Sequence, residues 1–160
     1  MKNSGFTVVE LLITLALGAI LLFIGIPSFK ETSSSSNMIS SSNEMVGAFN
    51  YARMEAVKRG NTVFLGQRDG SSWTGGLVVW IDADADSSFD TGEELRLWEP
   101  LKSGSTVVSS NSRTSFVFKA SGEVNNADVL KLCDDRSGEQ GRQIEILISG
   151  AIFAEKVTCG

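Results

Sequence analysis

The chain has 160 residues, a formal net charge of −5 and no histidine. That length suits one domain plus an anchor, and the lack of histidine removes Ser-His-Asp and Cys-His catalysis and the usual zinc sites. Lys2 and Glu10 are the only charged residues before Lys30, so the acidic excess belongs to the remainder, which has no general attraction for nucleic-acid phosphates.

Residues 6–26 form an apolar run interrupted by a single charge, Glu10. As a helix at about 1.5 Å per residue this run reaches roughly 30 Å, the thickness of a bilayer's hydrocarbon layer. It is too long for the apolar core of an ordinary secretory signal, and Ile26-Pro27-Ser28-Phe29 does not read as a small-residue cleavage site. Lys2 on the short side favours a cytoplasmic N-terminus and a head across the membrane. A carboxylate inside such a helix is costly without a partner and marks function. The apolar run contains no Lys or Arg to pair with Glu10. One available cation is the α-amine of Phe6, freed if the chain is cut after Gly5.

Gly5-Phe6-Thr7-Val8-Val9-Glu10 followed by the apolar run resembles the class III signal of type IV pilins and type II secretion pseudopilins. The resemblance implies cleavage after Gly5 by a prepilin peptidase, N-methylation of Phe6, and assembly into a filament in which Glu10 gains a cation. Pro27 removes a backbone donor and favours a kink, and Gly18 and Gly25 would let helices approach closely or are ordinary membrane-helix glycines.

Thr32 to Asn43 is Ser-rich and, taken alone, reads as a flexible linker. Yet Met38, Met45, Phe49, Ala52 and Ala56 recur at helical spacing. The pattern predicts an amphipathic helix over about 37–59, stopped by Gly60, with the Ser-rich stretch as its weak beginning. After Gly60 come eight short apolar segments, at 62–65, 77–81, 95–98, 106–108, 115–118, 129–132, 143–148 and 151–154, separated by Gly, Asn, Asp and Ser turns. In the seventh, Ile144, Ile146 and Ile148 alternate toward one face. The expected fold is α+β: one long helix, half transmembrane and half amphipathic, packed on antiparallel sheet. The expected divisions are a leader over 1–5, an assembly helix over 6–29, a Ser-rich and amphipathic stretch over 30–60, and a β-rich head over 61–160.

Tyr51-Ala52-Arg53-Met54-Glu55-Ala56-Val57-Lys58-Arg59-Gly60 resembles the motif helix of the GspH/FimT family of minor pilins and pseudopilins. Phe116-x-Phe118-x-x-x-Gly122 and a late cysteine pair fit the same family. Ile26-Pro27-Ser28-Phe29 is similar to the FimT and FimU minor pilins more than to the pseudopilin GspH. The resemblance implies a structural subunit, not an enzyme. It would sit in the bacterial inner membrane with its head in the periplasm, and its partners would be other pilins or pseudopilins, the peptidase, the inner-membrane assembly platform and lipid. Pilus and secretion pseudopilus both remain open.

Three further sets of residues invite a function. Cys133 and Cys159, the only cysteines, read outside the cytoplasm as one disulfide worth roughly 3 kcal/mol, or else as two free buried thiols. Asp82, Asp84, Asp86, Asp90 and Glu93 match the oxygen positions of a calcium-binding loop, but Ser87 stands where glycine is wanted. The turn reads first as a solvated acidic hairpin without cofactor, and second as a Ca²⁺ loop. DNA binding, known among FimT-like pilins, would need a basic cluster. Arg136, Arg142 and Lys156 are the candidates, and the Gly-Arg-x-Arg pattern is only half present at Gly141-Arg142.

Overall fold

The computed structural model describes residues 7–102, 104–136 and 138–159. The first element is a single helix, α1, Val8–Arg59, of 52 residues. It continues through Pro27 and through the whole Ser-rich interval, so that interval is helix and not linker. Serine tolerates a helix at modest cost, and tertiary contact offsets that cost here: Met38, Ser41 and Ser42 are already buried. Gly60, at φ 63°, ends α1. Its amide donates to the Val57 carbonyl and that of Asn61 to Ala56, the two bonds of a Schellman cap. The chain divides into two compact units between Ser36 and Asn37, so the amphipathic half of α1 belongs with the strands.

The strands are β1 (Val63–Gln67), β2 (Leu77–Trp80), β3 (Glu94–Trp98), β4 (Thr106–Ser109), β5 (Ser115–Phe118), β6 (Asp128–Cys133), β7 (Gly138–Ile146) and β8 (Ile152–Cys159). They form two antiparallel sheets, in the orders β3-β2-β1-β5 and β4-β6-β7-β8. Ile148 departs from its expected face: β7 ends at Ile146, and Ile148 lies 61% exposed in the turn before β8.

Both sheets turn an apolar face to α1. Met45, Phe49, Ala52 and Ala56 meet Val63, Leu65, Val79, Phe116 and Phe118 of the first sheet and Leu130, Ile144 and Ile146 of the second. Phe49 sits at the centre, its ring edge-on to Phe116 at 5.2 Å and to Phe118 at 6.4 Å. One polar atom breaks this helix face: the buried Ser42 Oγ has no hydrogen-bond partner. Ser42→Ala removes that orphan and improves helix propensity, so urea denaturation should show a gain of about 1 kcal/mol; a loss would mean that the hydroxyl is satisfied.

A disulfide joins Cys133 at the end of β6 to Cys159 at the end of β8, with a Cα–Cα distance of 6.0 Å. Because β7 lies between those strands, the bridge passes over it, at a register shift between Gly138 and Gly141. Any Cβ at Gly141 would overlap the Cys159 sulfur and stand 3.1 Å from that of Cys133. The head thus closes with a covalent clasp that only glycine accommodates.

Candidate functional site

The apolar half of α1 is built to be covered by something else. Val8, Leu11, Leu12, Leu15, Phe23 and Phe29 all lie exposed, and the segment is long and apolar enough to cross a membrane. At its start Thr7 acts as N-cap. Its amide and its hydroxyl each donate to Glu10 Oε2 at 2.9 Å, and its Oγ1 accepts from the Glu10 amide at 3.2 Å. This is a capping box, which gives Glu10 local hydrogen-bond donors beside the absence of any Lys or Arg in the run. Thr7 supplies neutral donors, which fill lone pairs without cancelling a negative charge in hydrocarbon. Gly5 and Phe6, where cleavage and methylation are expected, lie outside the described residues.

The motif residues of α1 carry charges of their own. Arg53 Nε donates to the Gly122 carbonyl at 3.1 Å, pinning the turn after β5 to α1. Gly150 packs so close to that turn that a Cβ would overlap the Gly122 carbonyl oxygen. The motif residue Arg53 and two turn glycines far away in sequence are therefore one lock. Two positions further on, Glu55 accepts from Arg59 Nε at 2.6 Å and pairs with Lys58 at 3.6 Å. The Arg59 hydrogen bond, ahead of weaker Coulomb help from Lys58 and Arg59, holds its carboxyl below the usual range against the opposing effect of burial. A carboxyl lowered on folding stabilises above its unfolded pKa and loses that contribution as pH falls through the folded one. Glu55→Gln should therefore destabilise the chain at pH 7 in urea titrations, and the difference from wild type should vanish toward pH 3; a constant difference would contradict the ion pair.

The acidic turn between β2 and β3 is organised by its own amides. Asp82 accepts from the Asp86 and Ser87 amides, Asp84 from Asp86, and Asp86 from Ser88. Ala85 and Ser87 both take φ 65°, so Ser87 adopts the conformation for which glycine was expected. The carboxylate oxygens of Asp82, Asp84 and Asp86 lie within 4.8 Å of one another. Asp90 does not join this group, and Glu93 spends its oxygens on the amides of Ala83 and Asp90. The structure thus gathers three of the five proposed calcium ligands. The Asp86 amide lowers the Asp84 carboxyl, but desolvation and the charges of Asp86, Glu93 and Asp82 outweigh it and raise it overall.

Arg142 and Lys156 stand directly opposite on β7 and β8. Arg136 has Nη2 2.6 Å from Asp134 Oδ2 and Nη1 bonded to Gln140. Phosphate binding draws on several clustered cations, and a guanidinium committed to a carboxylate offers little.

A further buried polar centre has no signature in the sequence. Asp128 opens β6 with its side chain fully buried and accepts from Ser109 Oγ, the amides of Asn111 and Val129, and Asn111 Nδ2. It fastens the β4–β5 connection to the second sheet, a structural task.

The family model for the type II transport protein GspH matches residues 41–151, more than half of the chain. The prokaryotic N-terminal methylation motif matches residues 1–26. No curated protein matches. Among solved structures, the type IV minor pilin FimU of Pseudomonas aeruginosa is similar at 20% identity and a TM-score of 0.66, over 75% of this chain and 89% of that one. The minor pseudopilin EpsH from the type 2 secretion system of Vibrio cholerae is similar at 14% identity and a TM-score of 0.56, over 75% of this chain and 97% of that one.

Proposed function

The chain belongs to the type II transport protein GspH family, and from that membership we propose that it is a minor filament subunit, stored in the inner membrane and drawn into a pilus or pseudopilus, which it primes or caps through its head. The observation that carries this reading is the fully exposed apolar run of α1 with the capped Glu10 at its start. A helix of that kind is stable in lipid, and in a bundle of similar helices packing replaces the lipid contact. The negative charge of Glu10 then draws a cation, for which the α-amine of a Phe6 cleaved after Gly5 is suited, on the same or a neighbouring subunit.

In this reading a prepilin peptidase removes residues 1–5 and methylates Phe6, the assembly platform extracts the subunit, and the head stands in the periplasm. The FimU likeness favours the pilus, the EpsH likeness the secretion filament. The acidic turn serves as a solvated hairpin that holds itself together without a cofactor; heat from a millimolar Ca²⁺ titration would assign it one. The test of the function is cysteine cross-linking of the head in cells, which should trap other minor subunits encoded beside it. Trapping only monomer, with the filament present and unaffected by deletion of this chain, would contradict the proposal.

A further inference from the structure

The motif segment opens on Tyr51, a residue that neither the lock at Arg53 nor the ion pair at Glu55 uses. It lies at the seam between α1 and β3, and β3 is an edge strand of the first sheet. Arg96 and Trp98, two residues apart on β3, share one face of that strand. The Tyr51 ring meets Trp98 edge-on at 5.7 Å, with 68° between planes. Over both rings lies the Arg96 guanidinium, 4.7 Å from the ring centre of Trp98 and 5.5 Å from that of Tyr51. Tyr51 and Trp98 are half-buried, backed by the core, and Arg96 is exposed. One helical turn beyond Tyr51, Met54 stands 61% exposed.

The polar ends of this cluster are open. Among the described residues, the side chains of Tyr51, Arg96 and Trp98 have ring contacts but no hydrogen bond and no ion pair. The other two tryptophans differ. Trp73 donates to the Arg113 carbonyl at 2.9 Å, and Trp80 is buried against Phe64 and Phe89. Arg53, Arg59, Arg68 and Arg136 each bond a carbonyl or carboxylate oxygen. A guanidinium stacked on rings is held in place while its donors stay free, so less side-chain freedom is lost when a partner arrives. Tyr, Trp and Arg are also the residue types that carry most of the energy at protein interfaces.

Charge selects the occupant. The planar fork of Arg96 fits a carboxylate through two parallel hydrogen bonds. A nucleic-acid backbone draws on several clustered cations, whereas Arg96 brings one, on a chain of net charge −5. Exposed Met54 beside the rings adds apolar area, which a protein surface covers and a small carboxylate does not. We propose that the Tyr51–Arg96–Trp98 seam is the docking surface for the head of a neighbouring filament subunit, which brings a carboxylate to Arg96 and apolar side chains to the rings and Met54. The inference rests on the filament reading and deepens it, by naming the face of this head that meets a neighbour.

A photo-cross-linking amino acid in place of Met54, in the full chain in cells, tests the surface. It should trap a second pilin-like chain, identified by mass spectrometry. Arg96→Glu should lower that yield more than about tenfold, because attraction becomes like-charge contact. Arg96→Lys should lower it less, since lysine keeps the charge and loses the fork. Arginine in place of the partner's acidic residue at the cross-link should restore the yield of Arg96→Glu. A second probe, in place of Val108 on β4, 62% exposed, separates this surface from the filament reading. Subunits trapped at Val108 and none at Met54 would overturn the surface and leave the filament reading standing; none at either, with filaments present, would contradict both. Undiminished trapping by Arg96→Glu would also overturn the proposal. So would binding of a fluorescent oligothymidylate to the detergent-solubilised chain that Arg96→Glu abolishes, which would assign the seam to nucleic acid.

Discussion

Glu10→Gln should leave the protein in the membrane fraction and reduce its recovery in filaments by more than about tenfold. Truncating one partner of a desolvated charge pair typically costs 2–5 kcal/mol, and each ~1.4 kcal/mol is a factor of ten. Glutamine is the informative substitution because its carbonyl can still accept from the Thr7 amide and hydroxyl, which now bond Glu10 Oε2. The helix cap survives and only the charge is lost. Glu10→Ala removes both and should assemble no better. Insertion is unaffected in either variant, since it depends on the apolar run and not on its one charge. Fractionation followed by immunoblotting of sheared filaments reads both quantities. Normal assembly of Glu10→Gln with failure of Glu10→Ala would make the cap, and not the charge, the functional element.

Gly141→Ala should prevent the Cys133–Cys159 bond from closing and leave two titratable thiols in the purified protein. The added methyl would occupy the space of the Cys159 sulfur. For a sequence separation of 26 residues the chain-entropy model puts the loss at about 3.5 kcal/mol. That corresponds to a fall of roughly 10 °C in the thermal midpoint for a unit of this size. Cys133→Ser should cost about as much. Combining it with Gly141→Ala should add little, because the two changes remove one interaction. Additive losses would show that Gly141 serves β7 for a reason unrelated to the clasp.

The helix and all eight strand segments were legible because each shows a local period. Met45, Phe49, Ala52 and Ala56 mark one side of a helix, and the strands are short β-branched and aromatic runs between turns. The division into two sheets was not legible, because it rests on pairings between distant segments. β5 returns to β1, Phe116 facing Leu65, while β4 skips it to pair with β6, Val107 facing Leu132; nothing in either strand's own residues specifies that choice. The Ser-rich interval was legible as helix only through the apolar face that follows it. Its composition is that of a linker, but burial of Ser41 and Ser42 against the head is a tertiary fact.

The candidate site divides in the same way. Glu10 stood out as one charge in an apolar run, and the Thr7-Val8-Val9-Glu10 spacing at the start of that run is the signal that carries its bond to Thr7. The carboxylates of Asp82, Asp84 and Asp86, spaced two apart in sequence, lie within 4.8 Å of one another, while Glu93 is taken up by the amides of Ala83 and Asp90. Phe89 looked like a residue of a polar turn, and its seat on Trp80 has no sequence signature at all.

Mass spectrometry of the polypeptide recovered from membranes puts the governing idea to its plainest trial. An intact chain beginning at Phe6, its α-nitrogen carrying one methyl group, supplies the cation that Glu10 awaits and is the result expected. A polypeptide still carrying Met1-Lys2-Asn3-Ser4-Gly5 in cells with an active peptidase would leave that carboxylate without its counter-charge and contradict the account.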